Sequence, residues 1–180
     1  MKSHKIFLIS WIIFVLLFSS CMPEKEEVKE ITKHIQTIVV TEDLDISVGQ
    51  MVYVPAYSQI YSVFTNTSDA RINLAVTLSI RNTDIDNPII IKSVSYYGDD
   101  GTKLKEYVET PFQLSKMASV SFNISKTDVS GGIGANFIVE WAAEQSVTEP
   151  YIQAIMIGLH GTQGFSWRNP GYVIKKSVNN

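Results

Sequence analysis

The sequence is poor in the residues that build disulfide, redox and metal centres. It holds one cysteine, Cys21, and three histidines among 180 residues, so no disulfide can form within the chain. Basic side chains are in the minority too, with 15 Lys and Arg against 18 Asp and Glu and a formal net charge of −3. A surface of that sign repels phosphate backbones, which argues against nucleic-acid binding. No cofactor and no metal ion are expected.

Long apolar runs are also scarce. The strongest is IFLISWIIFVLLF, residues 6–18, and two lysines lie within the preceding segment Met1–Lys5. A helix of that length rises about 20 Å, which is short of the roughly 30 Å of hydrocarbon that a spanning helix must cross. The pattern is typical of an export signal, and the small residues before Cys21 predict cleavage between Ser20 and Cys21.

The segment FSSC, residues 18–21, resembles the bacterial lipobox, although Phe18 stands where Leu is favoured. The resemblance implies that residues 1–20 are a lipoprotein signal peptide. It also implies that the Cys21 thiol receives a diacylglyceryl group, and that the new amino group is acylated with a fatty acid such as palmitate. Met22, where Asp would retain a lipoprotein at the inner membrane, points to the outer membrane, with the domain periplasmic or surface-facing. An ordinary secretory signal and an uncleaved anchor are the alternatives.

The charged segment MPEKEEVKEITKHI follows the lipidation site. We interpret residues 21–36 as the lipidated cysteine and a solvated tether. Apolar residues three and four apart, at Val28, Ile31 and Ile35, would also suit a short amphipathic helix. Loss of residues 1–20 removes two lysines, leaving 13 basic and 18 acidic side chains, or −5 in formal charge.

Residues 37–180 have the alternation of a half-buried sheet. In LAVTLSIRN, Leu74, Val76, Leu78 and Ile80 point to one face and the intervening residues to the other. The same reading predicts strands in SVSFNIS, TIVV, QMVYVPAY, IIIKSVSYY, KLKEYV, NFIVEWAA, YIQAIMIGL and YVIKK. Turn signals separate them, and Asp100-Gly101 predicts a hairpin with a primed turn. The expected fold is all-β: one antiparallel β-sandwich, immunoglobulin-like or similar.

Four blocks extend the resemblance beyond the lipobox: VYVPAYSQIY (52–61), LSIRNTD (78–84), SVSYYGDDG (93–101) and SGGIGANFIVEW (130–141). With them the chain resembles an uncharacterised bacterial lipoprotein family that carries a single domain of unknown function, over about residues 50–175. The resemblance implies a periplasmic or surface-exposed β domain. It supplies no substrate and no catalytic residue.

Catalytic and metal sites find little support in the residues themselves. Glu140 alternates away from the apolar residues of its strand, and a general acid there would need a second group in a cleft. The strongest enzymatic or ligand-binding alternative joins Glu140, His160 and the SGGIGAN loop in one pocket. Ser166 has neither a nucleophile-elbow context nor an acidic partner for a triad with His160. We expect no enzyme activity.

The loop NTDIDNP offers Asp84, Asp86 and Asn87 as oxygen ligands. Calcium normally needs six or more ligands and this loop has three, so a turn closed by the Asp side chain is the expected role.

Three tyrosines form the remaining candidate surface. Tyr53, Tyr57 and Tyr61 are four residues apart, and Pro55 argues against a helix. In one extended edge segment they would line a single face, either as core or as a binding surface. The expected function is a non-catalytic interaction or accessory module that is held at the membrane by its lipid and has an envelope protein as partner. The sequence carries no signal for an oligomeric state.

Overall fold

The computed structural model describes residues 46–63 and 69–178. All of them fall within one contact-defined unit, His34–Asn180. No helix occurs among them; the described chain forms strands β1 (Val48–Pro55), β2 (Gln59–Tyr61), β3 (Arg71–Arg81), β4 (Ile89–Tyr97), β5 (Lys103–Glu106), β6 (Phe112–Leu114), β7 (Ser119–Ile124), β8 (Asn136–Ala143), β9 (Tyr151–His160), β10 (Gln163–Pro170) and β11 (Tyr172–Val178).

The strands form two antiparallel sheets. In the first, the order is β11-β1-β8-β4, and both β5 and β6 pair with the far side of β4. In the second, the order is β10-β9-β3, and both β2 and β7 pair with β3. The sheets share one apolar core. The predicted all-β sandwich is therefore confirmed.

Alternation along the central strands builds this core, as the sequence predicts. In β3, Leu74, Val76, Leu78 and Ile80 are all buried, while the flanking side chains face outward. In β8 the inward side chains include Trp141, which is almost fully buried. Each such side chain contributes roughly 1.5–3 kcal/mol by leaving water, so the registers of β3 and β8 are strongly fixed.

Aromatic contacts connect the loops at one end of the sandwich to the core. The Tyr96 ring of β4 lies 5.1 Å from that of Phe137 in β8. Tyr107, just after β5, packs on Phe137 at 6.0 Å and on Phe122 of the other sheet at 5.5 Å. Tilted ring pairs of this kind are favourable beyond their buried area. They link the two sheets.

The predicted hairpin at Asp100-Gly101 is confirmed, but its turn is not the primed type. A primed type I turn needs positive φ at both central residues, and Gly101, with φ 80°, is the residue of this turn in that region. The Gly101 N–H donates to the Gly98 carbonyl at 3.1 Å, and the Gly98 N–H donates to Thr102 at 2.9 Å. This is a longer loop in which glycine takes the left-handed position after an ordinary turn.

Gly171 carries the chain from the second sheet to the first. We predict a turn at RNPG from the sequence, whereas Arg168–Pro170 continues β10 and Gly171 alone forms the link to β11. A Cβ at Gly171 would lie 2.5 Å from Cγ1 of Val52, so the close approach requires glycine. Its N–H donates to the Ile152 carbonyl at 2.9 Å. This crossing places β11 beside β1, at the edge of the first sheet.

Candidate functional site

Glu140 lies in the middle of β8, on the outer face of the first sheet. Its Oε1 accepts a hydrogen bond from Nζ of Lys92 at 2.7 Å, and both side chains are more than one-third exposed. The predicted orientation of Glu140 away from Phe137, Val139 and Trp141 is confirmed. An exposed ion pair of this kind contributes about 0–1 kcal/mol and leaves the carboxylate in contact with solvent.

His160 lines an apolar cleft at the end of the second sheet. The cleft has a volume of about 290 Å³. Its floor is formed by Ile60, Ile72 and Phe165, which come from three strands of the second sheet. His160 and Gln163 are its polar members, and the two are register partners across the β9-β10 hairpin. The geometry suits an apolar group better than a charged substrate.

The glycine-rich loop SGGIGAN closes the same end of the sandwich through its carbonyl groups. The Gly132 carbonyl accepts hydrogen bonds from the backbone N–H of Ser58, from the Ser58 hydroxyl at 2.9 Å and from the N–H of Gln59. The Gly131 carbonyl accepts from Asp99. After the loop the chain continues as β8, as predicted, so the helix required by a dinucleotide motif is missing at this place.

These three features do not form one pocket. The residues lining the His160 cleft include neither Glu140 nor any residue of the glycine-rich loop. Glu140 instead borders a shallow depression on the outer face of the first sheet with Lys92 and Lys175. The hypothesis of a shared Glu140/His160/SGGIGAN pocket is therefore wrong. Ser166 pairs with Ile157, which is three residues before His160 on β9. The side chains of Ser166 and His160 therefore lie on opposite faces of the second sheet.

The three predicted tyrosines lie at three separate places. Tyr53 is on the outer face of β1, which is an interior strand between β11 and β8. Tyr57 follows β1 and packs against the core, with its ring 6.3 Å from that of Trp167. Tyr61 is exposed on β2 in the second sheet, under the guanidinium of Arg71. The expectation of one continuous edge segment with one tyrosine face is wrong, because the chain changes sheets after β1.

Tyr172, rather than Tyr57 or Tyr61, is the neighbour of Tyr53. The two are register partners between β11 and β1, and Tyr172 is 60 % exposed. Val173 and Ile174 are also exposed, at 41 % and 56 %. The pattern of YVIKK predicts a strand but does not indicate its place in a sheet, because pairing with β1 joins segments about 120 residues apart. The outer end of the first sheet therefore exposes three neighbouring apolar side chains.

The family model for proteins of unknown function named DUF3124 matches residues 49–174, which is most of the described sandwich. The chain belongs to the DUF3124 family. No curated protein matches it. Among solved structures, one titled "Crystal Structure of Thermotoga maritima 1070" is similar, with 13 % sequence identity and a TM-score of 0.40. The match covers 68 % of this chain and 92 % of that one.

Asp84 organises a loop of the DUF3124 domain. Its Oδ1 accepts the backbone N–H groups of Asp86 and Asn87 at 2.9 and 2.8 Å, and its Oδ2 accepts that of Thr148 at 2.8 Å. The carboxylate thus closes a turn and ties it to the segment before β9. Within the described residues, no group of three or more His, Cys, Asp or Glu side chains could hold a metal ion.

Replacing Asp84 with Asn is expected to lower the free energy of unfolding at neutral pH and to weaken its acid dependence. The N–H of Thr148 first, then those of Asp86 and Asn87, hold the pKa of Asp84 below its ordinary value of 3.8. Since the folded pKa lies below the unfolded one, the stabilisation is present above about pH 4 and is lost as the pH falls further. Urea unfolding from pH 2 to 7 measures the free energy of unfolding and its dependence on pH. Exposed Asp86→Asn is the control, and equal acid dependence of Asp84→Asn and wild type would contradict this account.

The lipid site and the tether lie outside the described residues. Residues 1–20, the predicted cleavage pair Ser20 and Cys21, the charged segment to residue 36 and the predicted strand TIVV are all outside them. Among the residues that the structure describes, no helix is long and apolar enough to cross a membrane.

Proposed function

We propose that this DUF3124 protein is a lipid-anchored lipoprotein of the bacterial envelope whose sandwich works as a non-catalytic interaction module. The observation that carries the proposal is the context of Cys21. The only thiol of the chain follows an uncharged run and two serines, and precedes a charged segment. A thiol ionises far more readily than a serine hydroxyl and is the better nucleophile toward a lipid donor.

The energetics of anchoring favour a processed Cys21. Each buried methylene stabilises membrane attachment by about 0.8 kcal/mol, and one acyl chain alone gives marginal, reversible binding. A diacylglyceryl thioether with an acylated amino group supplies three chains, which is enough for stable attachment. The sandwich then stays at the membrane without an apolar helix.

The positions of Glu140, His160 and the glycine-rich loop support an interaction role over an enzymatic one. Glu140 is ion-paired on an outer face, and His160 lines a cleft that Glu140 does not reach. General acid catalysis needs a second polar group placed in the same cleft. The exposed apolar residues of β11, by contrast, are of the kind that contacts a partner. The partner we propose is an envelope protein.

Changing Cys21 to Ala is expected to abolish the acyl mass and to move the protein out of the membrane fraction or leave it with its signal attached. Intact mass spectrometry of membrane and soluble fractions measures both effects. Wild type should begin at Cys21 and carry the mass of the diacylglyceryl and acyl groups. Ser20→Ala is the matched control, because it keeps a small residue beside the cleavage site. A wild-type chain that starts at Met1 without added mass would contradict the proposal.

Outer-membrane location has a separate test. Density separation of the two membranes should place the wild-type protein with the outer membrane, and Met22→Asp should shift it to the inner one. Wild-type protein that sediments with the inner membrane would contradict the predicted outer-membrane location but not the lipid anchor.

A further inference from the structure

The strand β11 ends the first sheet. On one side it pairs with β1 over Tyr172–Val178, and within the described part of the chain no strand pairs with its other side. Along an antiparallel edge strand, residues alternate: one directs its N–H and C=O groups to the paired strand, and the next directs both groups away from it. The free side of β11 is therefore a row of donors and acceptors that an extended segment can use.

The other sheet edges are less suited to accept a strand. At the opposite end of the first sheet, β5 is four residues long and carries two lysines and a glutamate, and β6 is three residues long. In the second sheet, β2 has three residues, and β10 ends at Pro170, which lacks an N–H. The remaining edge strand, β7, has six uncharged residues, but its apolar side chains are buried or partly buried, so it exposes only polar side chains. Short, charged or proline-bearing edges are typical of protected ones. In length and apolar exposure together, β11 differs from them.

The apolar side chains of β11 are exposed on both faces. Tyr172 pairs with Tyr53 on the outer face, and Val173 pairs with Val52 on the side of the core. The register with β1 shifts between Met51 and Val52, so that Ile174 is an extra residue. An added strand with alternating apolar residues would cover Tyr172 and Ile174 and remove their apolar area from water.

The charge of β11 indicates the chemistry of the partner. Lys175 and Lys176 are its only charged residues, and Lys176 already pairs with Glu149 at 3.3 Å, so the charge that bears on a partner is that of Lys175. On the outer face Lys175 shares a depression with Lys92 and Glu140, which leaves two ammonium groups to one carboxylate. A carboxylate of an incoming strand would balance this charge.

A second copy of the chain is a poor match for the same edge. An antiparallel pair of two whole β11 strands has its centre at the middle residue, Lys175, and would set that lysine opposite its own copy. Like charges directly opposite each other destabilise a strand pair. Lys175 therefore disfavours self-association while it favours an acidic segment.

We propose that the free edge of β11 binds an extended, acidic segment of a partner protein, which adds to the first sheet as a further strand. Apolar residues of that segment contact Tyr172 and Ile174, and a carboxylate lies beside Lys175. This inference rests on the proposed interaction function and states what the module recognises.

Hydrogen exchange with two synthetic octapeptides tests the inference. Both peptides alternate valine with a polar residue; one carries glutamates and the other lysines at the same places. Amide hydrogen exchange of the full-length chain is measured in the presence of each peptide, and the exchange rates of residues 172–178 are compared. At a peptide concentration ten times its dissociation constant, about one-eleventh of the protein remains free. The glutamate peptide should therefore slow exchange on β11 about elevenfold. The lysine peptide and an N-methylated glutamate peptide should have little effect.

Charge reversal supplies the sharper comparison. Lys175→Glu should exchange the preference, so that the lysine peptide protects β11 better than the glutamate peptide. Lys116→Glu, at an exposed lysine between β6 and β7, is the matched control and should leave the preference unchanged. Equal protection by both peptides, or none by either, would overturn the inference.

Two further results would show that a different segment occupies the free side of β11, and either would overturn the inference. Protection of β11 that rises with protein concentration would identify a second copy. Protection in the isolated chain that disappears when residues 37–40 are replaced by Gly and Ser would identify the chain's own N-terminal segment. The full-length Cys21→Ala chain should bind the glutamate peptide as wild type does, so a failed anchor and a failed edge are told apart.

Discussion

Replacing Gly131 with Ala is expected to destabilise the sandwich by about 3 kcal/mol, at the upper end of the usual cost of overpacking a core. A Cβ at Gly131 would lie 1.8 Å from the Tyr96 hydroxyl oxygen and 2.7 Å from Cβ of Ala135. Tyr96 is 1 % exposed and its ring packs on Phe137, so it cannot swing into solvent. The free energy of unfolding from urea titration at neutral pH measures the effect.

A double-mutant cycle identifies the cause of the loss. Tyr96→Phe removes the oxygen that the new methyl would meet, although Cζ, at 2.6 Å from the Cβ position, still crowds it. We therefore expect Gly131→Ala to cost about 1–2 kcal/mol less in the Tyr96→Phe background. Gly164→Ala is the control, because its Cβ would meet no atom nearer than Leu159 Cδ2, at an ordinary 3.5 Å. Additive effects of the two changes would show that loop strain, and not this contact, carries the cost.

The contact also explains why the glycine-rich loop is built as it is. A glycine-rich segment can form an anion-binding nest of backbone N–H groups or a structural turn. In the structure, the carbonyls of Gly131 and Gly132 bind the backbone of the β4-β5 hairpin and the segment before β2. The loop thus joins three connections at one end of the sandwich. Gly131 serves close packing on Tyr96, and Gly132, with φ 68°, serves the turn.

Strands with one buried face could be predicted from the sequence. In β3 and β8 every second residue is apolar and the alternation continues for eight residues or more, so a shift of one residue would expose the whole core set. The sequence does not predict the strand β10, because Gly164 and Pro170 in QGFSWRNP are residues typical of turns. Its inward Phe165 and Trp167, stacked at 6.0 Å, keep it extended. Tertiary packing overrides local preference there.

The site could be predicted less well than the fold. The hypothesis of one tyrosine face counts residues through Pro55 as if the strand were continuous. Alternation between the two faces of a sheet holds only within one strand. After Pro55 the chain leaves the first sheet, and β2 begins in the second. The neighbour that Tyr53 does have, Tyr172, comes from the far end of the chain. Pairing between distant segments is not contained in local periodicity.

Between pH 10 and 12 the free energy of unfolding is expected to fall by up to about 3 kcal/mol through Tyr96 alone. Burial raises the pKa of Tyr96 from its ordinary 10.0 to about 12. Its hydroxyl has no partner of good hydrogen-bond geometry within the described residues, and the nearby Ser58 side chain offsets the loss of water only in part. Above pH 10 the unfolded chain releases the phenol proton while the folded chain keeps it. The contribution is therefore complete below pH 10 and is lost as the pH rises toward 12.

Tyr96→Phe isolates this effect from the other groups that titrate in the same range. Burial also raises the pKa of Tyr107, and the hydrogen bond to Glu106 raises that of Lys103, so the wild-type slope contains all three. Urea unfolding at pH 8 to 12 should give a shallower slope for Tyr96→Phe than for wild type. At pH 8 the variant should be as stable as wild type or slightly more so, because it removes a buried hydroxyl without a partner. If the two slopes coincide, the Tyr96 hydroxyl has a solvent or protein partner in solution that compensates for its burial.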